Sequence, residues 1–105
     1  MKRLLFVGDV VGKAGCEFLC SELGKIKRKY DIDITVVNGE NSAQGNGITR
    51  YSADMIINSG ADIITTGNHA FRRKESLDIF DEDYIIRPAN YPEGGVVGKG
   101  VCVLD

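Results

Sequence analysis

The chain has 105 residues, enough for one small domain and too few for two. Hydrophobic residues make up 43% and charged residues 27%, which is an ordinary globular composition. The net charge of −2 argues against a nucleic-acid backbone or an anionic membrane as the main partner. It does not exclude a nucleotide substrate, because a metal site could supply positive charge locally.

The first residues combine a basic start with an apolar run, residues 4–7, that stops at Gly8. Four apolar residues are too few for a secretory signal or a membrane span. The three cysteines, Cys16, Cys20 and Cys102, are odd in number and lack the spacing of a disulfide framework. These features favour a cytoplasmic protein with reduced thiols.

Strand-like and helix-like segments alternate along the chain. Apolar, β-branched runs predict strands over residues 4–7, 34–37, 63–66, 84–86 and 101–104. Helical spacing predicts helices over residues 14–30, 49–59 and 75–80, the second capped by Thr49 and stopped by Gly60. This alternation predicts an α/β fold, a mainly parallel sheet flanked by helices. We expect strand one to be central.

Polar residues follow the predicted strands where each one ends. Asp9 follows the first, Glu40 and Asn41 follow the second, and Asn68 and His69 follow the third. In an open α/β sheet, ligands bind outside the carboxyl ends of the strands, so these residues are expected to meet at one rim.

Two carboxylates at adjacent strand ends repel each other unless a cation or a proton lies between them. Carboxylate, amide oxygen and imidazole together suit a divalent ion such as Mn, Fe, Mg or Zn. Each residue alone has a plainer interpretation: Asp9 as a helix cap, Asn41 and Asn68 as turn residues, His69 as a boundary histidine. Their coincidence at one rim favours a metal site.

Four motifs resemble those of the calcineurin-like metallophosphoesterases, and more narrowly those of the bacterial YmdB-like subfamily. They are GDVVG at 8–12, NGEN at 38–41, GNH at 67–69 and RPANYP at 87–92. The resemblance implies that residues 1–105 are the N-terminal portion of a metallophosphoesterase domain, the first half of an α/β-β/α sandwich. The half that would follow supplies three metal-binding histidines in the family, whereas this chain has one histidine in all.

The resemblance also implies residue roles and an activity. It implies metal ligands at Asp9, Glu40, Asn41 and Asn68, with Glu40 bridging two divalent ions, and a catalytic histidine at His69. Asn90 and Tyr91 match a rim loop to which we assign substrate binding. The implied reaction is hydrolysis of a phosphodiester, with a 2′,3′-cyclic nucleotide favoured. Val11 stands where the wider superfamily has a histidine, as it does in the YmdB-like group. One departure from the subfamily pattern is visible, at residues 70–73 beside His69, and it affects the expected substrate preference.

Two other functions stay open at this point. The chain could be an inactive folded fragment, or a module that holds phosphate on backbone amides at helix N-termini. The acidic residues at the strand ends count against the second, since they would repel phosphate without a metal. A sheet lacking its second half should expose an apolar face, so we expect a homo-oligomer.

Overall fold

The computed structural model describes residues 1–92 and 95–104. Four strands form one parallel sheet in the order β1-β2-β3-β4. Their bounds are β1 Leu4–Val7, β2 Ile34–Asn38, β3 Ile63–Thr65 and β4 Ile85–Ile86. Helix α1 (Gly12–Tyr30) connects β1 to β2, helix α2 (Arg50–Ser59) connects β2 to β3, and a 3-10 helix (Lys74–Asp81) leads into β4. The predicted α/β class, with a parallel sheet and helices packed on it, is confirmed.

Both α-helices pack on the same face of the sheet. Right-handed crossovers that always step in the same direction place every connection on one side. The strand register puts one set of side chains on that face, and they join the apolar sides of the helices in a single core. The sheet contributes Leu5, Val7, Val37, Ile64 and Ile85, and the helices contribute Cys16, Leu19, Leu23, Ala53 and Ile56.

The opposite face of the sheet is apolar and open in the described part of the chain. We call its apolar part the bare face; the side chains that form it are Leu4, Phe6, Ile34, Val36, Ile63 and Ile86. Leu4 is 53% exposed and Phe6 69% exposed, whereas the others are half-buried. Parallel sheets are normally covered on both faces, so this surface is one that another polypeptide can cover.

Two details of the predicted sheet are wrong. Strand β1 lies at the edge of the described sheet rather than at its centre. A continuous apolar run indicates that both faces of a strand are to be covered. It does not indicate how many other strands pair with it. The predicted fifth strand over residues 101–104 does not form. Just before it, Lys99 makes one isolated parallel bridge with Ile86. The chain turns next to that bridge, because Gly98 has a φ of +87°.

The predicted ends of α2 are confirmed. The Thr49 side chain accepts from the Ser52 backbone N–H at 3.1 Å, and the Ser52 hydroxyl accepts from the Thr49 N–H at 3.0 Å. This reciprocal pair satisfies two donors at the helix start. At the other end Gly60 adopts a φ of +123°, as expected of a glycine that stops a helix. In the residues described, neither helix is long and apolar enough to cross a bilayer.

Candidate active site

Asp9 sits in a sharp turn where β1 ends. Its φ is +37°, a conformation in which Asp is tolerated better than most residues. The next backbone N–H, that of Val10, donates to the Asn38 carbonyl oxygen at 3.2 Å, so the turn is tied to the end of β2. The Asp9 side chain is exposed. Local strain at the end of a strand is typical of a functional position, and here it presents a carboxylate at the rim.

Asn41 links Asp9 to His69. Its Nδ2 donates to Asp9 Oδ1 at 2.8 Å, and its Oδ1 lies 2.6 Å from His69 Nδ1. An amide oxygen can only accept, so the network assigns the proton to Nδ1 of the imidazole and leaves Nε2 with a lone pair. Three residues from three different loops are thereby joined by two hydrogen bonds.

Glu40 is held against the loop that follows β3. Its Oε2 accepts from the His69 backbone N–H at 2.9 Å, and its Oε1 accepts from Asn38 Nδ2 at 3.4 Å. The carboxylate lies directly over Gly67, where an added Cβ would meet Oε1 at 2.3 Å. A glycine is therefore needed at position 67 for Glu40 to lie where it does.

Asn68 makes no side-chain hydrogen bond to this group within the described residues. It is exposed and lines a cavity of about 350 Å³ with Pro88, Asn90, Tyr91 and Pro92. The Tyr91 ring is anchored edge-on against Phe71, with centroids 5.3 Å apart. The structure thus places Asp9, Glu40, Asn41 and His69 in one hydrogen-bonded group, and it places Asn68, Asn90 and Tyr91 around a neighbouring cavity.

The side chains at this rim supply some, but not all, of the ligands that a divalent cation needs. Neither Asp9 nor Glu40 is paired with a lysine or arginine within residues 1–92 and 95–104. His69 Nδ1 lies 3.9 Å from Glu40 Oε2 and neutralises that carboxylate only when the imidazole is protonated. Carboxylate and amide oxygens are ligands that hard divalent ions prefer. The same residues contain no group of three His, Cys, Asp or Glu side chains that could enclose an ion unaided. The set therefore fits a cation as part of a larger ligand shell.

Sequence reasoning missed three residues that shape the site. Asn38 and Gly67 lie inside the recognised motifs, but only their contacts with the Glu40 carboxylate reveal a role. In the sequence, Arg73 is marked only by its departure from the subfamily pattern. Its side chain donates from Nε to the Asn46 carbonyl oxygen at 3.0 Å and from Nη2 to the Gln44 carbonyl oxygen. The sequence does not show that Arg73 lies opposite the glycine-rich turn, where its guanidinium is well suited to bind backbone carbonyls.

Comparisons with known proteins agree with one another. Residues 5–105 match the family model described as YmdB-like protein. A 2′,3′-cyclic-nucleotide 2′-phosphodiesterase from Bacillus subtilis is 46% identical over 103 residues, which cover 97% of this chain and 39% of the relative. The crystal structure of a hypothetical protein from Thermus thermophilus superposes with a TM-score of 0.89 at 37% identity, covering 98% of this chain and 40% of that one.

A second solved structure, that of a novel phosphatase from Mycoplasma pneumoniae, gives a TM-score of 0.90 at 29% identity. It covers 99% of this chain and 38% of its own. The chain therefore spans about two fifths of the length of the relatives it matches, and more than half of each relative lies outside the matched region.

Proposed function

This chain belongs to the YmdB-like protein family, and we propose that it forms the first part of a metal-dependent phosphodiesterase domain. The substrate class that we propose is a small phosphodiester, with a 2′,3′-cyclic nucleotide favoured by the activity for which the Bacillus subtilis relative is named. The observation that carries the proposal is the hydrogen-bonded chain from Asp9 through Asn41 to His69, with Glu40 fixed on the His69 backbone.

The metal ligands that we propose are the four oxygen-donor side chains at the rim. Asp9 and Asn41 would hold one divalent ion, Asn68 would hold a second, and Glu40 would lie between the two. Fe, Mn, Mg or Zn would suit these donors. Bound ions would lower the pKa of a water molecule and draw charge from the phosphate oxygens. The carboxylates of Asp9 and Glu40, which no lysine or arginine neutralises in the described part of the chain, support this assignment.

His69 is the proton donor of the proposed reaction. Hydrolysis breaks a P–O bond and leaves an alkoxide oxygen that needs a proton. The neutral ring carries its proton on Nδ1, so it acts as the donor only in the doubly protonated form. That imidazolium, held by Asn41 through Nδ1 at 2.6 Å, can release the proton on Nε2 to the alkoxide oxygen. Asn41 fixes the plane of the ring, and the Glu40 contact with the His69 N–H fixes its backbone. The ring is about one quarter exposed, which leaves it accessible to a substrate.

The proposed activity of the 105-residue chain alone is low. A binuclear hydrolase holds each ion with several protein ligands and keeps a position open for water. The family resemblance implies three further histidine ligands, and this sequence contains only one histidine. Two carboxylates and two amides should hold one divalent ion weakly and a second one hardly at all.

The test uses the purified chain with excess Mn²⁺ and the full-length Bacillus subtilis relative assayed in parallel. The substrates are 2′,3′-cyclic AMP and bis-p-nitrophenyl phosphate, and Mn²⁺ binding is measured separately by electron paramagnetic resonance. We expect weak Mn²⁺ binding that Asp9→Asn abolishes and that Asp54→Asn, an exposed change on α2, leaves intact. No Mn²⁺ binding at any concentration would refute the metal site. Turnover equal to that of the relative would refute the inferred need for further histidines.

The cavity lined by Asn68, Asn90 and Tyr91 is the proposed substrate-contact surface. Tyr91 presents a phenol next to two amides, and amides and hydroxyls are suited to bind the sugar and phosphate oxygens of a nucleotide. We expect Tyr91→Ala to raise KM more than it lowers kcat in any preparation with measurable turnover. An unchanged KM would remove Tyr91 from the site.

For the 105-residue chain alone, we propose that a second copy covers the bare face. In a longer relative, additional polypeptide could cover the same surface within one chain. A bare face of six apolar residues, two of them more than half exposed, is the kind of patch that drives association. We expect a dimer by analytical ultracentrifugation that Phe6→Lys converts to monomer, and that Tyr51→Lys, equally exposed on α2, does not. A wild-type monomer at high concentration would refute the homo-oligomer.

A cytoplasmic location is part of the proposal. All three cysteines are free, and Cys16 is buried with its thiol donating to the Ser42 carbonyl oxygen at 3.6 Å. Burial raises the pKa of the Cys16 thiol, which keeps it protonated and unreactive. Free cysteines are typical of a reducing compartment.

A further inference from the structure

Arg73 connects the two loops that carry Asn41 and His69. It follows His69 by four residues, at the end of a tight turn in which the Arg72 N–H donates to the His69 carbonyl oxygen at 3.2 Å. Its guanidinium reaches the loop after β2, where it donates to the carbonyl oxygens of Gln44 and Asn46. No carboxylate lies within ion-pairing distance of Arg73 in the described part of the chain. The Arg73 guanidinium therefore donates its hydrogen bonds to backbone carbonyl oxygens.

The receiving loop has a conformation that brings those oxygens together. Gly45, Asn46 and Gly47 have φ values of +80°, +88° and +80°, three consecutive residues in the left-handed region. The Ala43 N–H closes the turn by donating to the Gly47 carbonyl oxygen at 2.9 Å. A Cβ on Gly47 would lie 2.8 Å from Arg73 Cγ, so the absence of a side chain lets the arginine stem pass against the loop. Gly47 thus serves both the turn and the arginine contact.

We propose that Arg73 is a positioning residue that keeps Asn41 in contact with His69. The two loops meet at the 2.6 Å contact between Asn41 and the imidazole, and Arg73 joins them again a few residues farther along each loop. The Asn41 contact and the 2.9 Å hydrogen bond from the His69 N–H to Glu40 both lie at His69, so the two loops can still rotate about that point. Arg73 adds a connection at a second point and restricts this rotation. The consequence for catalysis rests on the acid role proposed for His69, whereas the bracing itself does not.

Lysine should be unable to replace Arg73. The planar guanidinium offers several donors in a fixed fork, which matches two carbonyl oxygens at once. A lysine ammonium keeps the charge but places it as a single point on a flexible stem. Arg73→Lys therefore separates the geometry of the brace from its charge, and Arg73→Gln removes both. Arg72→Gln is the matched control, since Arg72 is the exposed neighbour and its side chain makes no hydrogen bond within the described residues.

The experiment is NMR of the 105-residue chain, which needs neither metal nor turnover. His69 is the only histidine, so the imidazole ¹⁵N spectrum reports this residue alone. At pH about 8.5, where a free imidazole is neutral, we expect the wild type and Arg72→Gln to show the Nδ1–H tautomer. Arg73→Lys and Arg73→Gln should show a mixture of both tautomers. Amide hydrogen exchange at Ala43 and Asn46 should accelerate about tenfold or more, as expected for loss of hydrogen bonds from a charged donor.

The outcomes separate bracing from a general effect on stability. Exchange that accelerates in the loop while the core amide of Ile64 is unchanged supports a local brace. Acceleration of the same size at Ile64 and throughout the sheet would overturn the proposal, because Arg73 would then act only on global stability. An unchanged tautomer in both Arg73 variants would also overturn it. Absence of Mn²⁺ binding to the wild type would refute the proposed metal site and leave these NMR results to decide the brace.

Discussion

Gly67→Ala should disrupt the candidate site while leaving the fold intact. The φ of Gly67 lies outside the left-handed region, so alanine causes no backbone strain there. The added Cβ would instead lie 2.3 Å from Glu40 Oε1 and 2.7 Å from Oε2, far inside an ordinary contact of 3.4 Å or more. The carboxylate is the free end of a flexible side chain and can move. It must shift by about 1 Å to relieve the overlap, and that shift breaks the 2.9 Å contact with the His69 N–H.

The expected loss of stability follows from that one contact. A hydrogen bond to a charged acceptor is worth about 1.5–3 kcal/mol, and the Glu40 side chain is only 15% exposed, so solvent screens it little. Replacing glycine by alanine returns about 0.4–1 kcal/mol by restricting the unfolded chain. The net destabilisation should be about 1–2 kcal/mol, which lowers the Tm of a domain of this size by roughly 4–16 °C.

Thermal unfolding followed by circular dichroism measures this change, and Mn²⁺ binding measures its effect on the site. The control is Gly8→Ala, which lies on the same rim, has no left-handed φ and would place its Cβ with nothing within 4 Å. We expect Gly8→Ala to keep the wild-type Tm or raise it slightly, and to bind Mn²⁺ normally. If Gly67→Ala behaves like Gly8→Ala in both measurements, the Glu40 carboxylate does not depend on Gly67 and the geometry argued for the site is incorrect.

Three further predictions test other contacts. Thr35→Val should stabilise the fold by about 1 kcal/mol, because Thr35 Oγ1 is buried without a hydrogen-bond partner in the residues described; a lower unfolding free energy in urea would contradict this. Asn41→Asp should lower the Tm in metal-free buffer, since it places a carboxylate beside Asp9, and Mn²⁺ should reverse the loss; an unchanged Tm would argue against the 2.8 Å contact. The hydrogen bond from Lys99 lowers the pKa of Asp83 below its usual 3.8, so the ion pair stabilises the fold above pH 3.8 and this stabilisation is lost as the pH falls through the lowered pKa. The Tm difference between wild type and Lys99→Gln should therefore shrink on acidification. A difference that stays constant would refute the pairing.

Element positions were predictable because local signals specify them. Thr49 and Gly60 marked the ends of α2 through side-chain and backbone chemistry that needs no tertiary partner. The order of the strands in the sheet could not be predicted from such local signals. Whether β1 has one neighbour or two depends on which other polypeptide lies beside it, and the apolar run of β1 carries no information about that.

The grouping of residues at the rim was predictable from topology, whereas side-chain directions were not. The carboxyl ends of parallel strands meet, so Asp9, Glu40 and His69 had to lie near one another. That Asn41 joins Asp9 to His69, and that Asn68 lines a cavity with Asn90, depends on the conformation of the loops. The Glu40 position depends on an absent Cβ at Gly67, a contact that spacing along the sequence does not reveal.

The sequential order of the strands bears on how the chain folds during synthesis. Each strand pairs with the one made just before it, so every strand–helix unit can dock as it leaves the ribosome without waiting for distant residues. In the described sheet the strands are added in one direction, and β1 keeps one edge without a partner among the described residues. Unpaired edges are templates for aggregation. The charged residues Lys2 and Arg3 stand directly before that edge, where they would discourage the strand of another chain from pairing with β1.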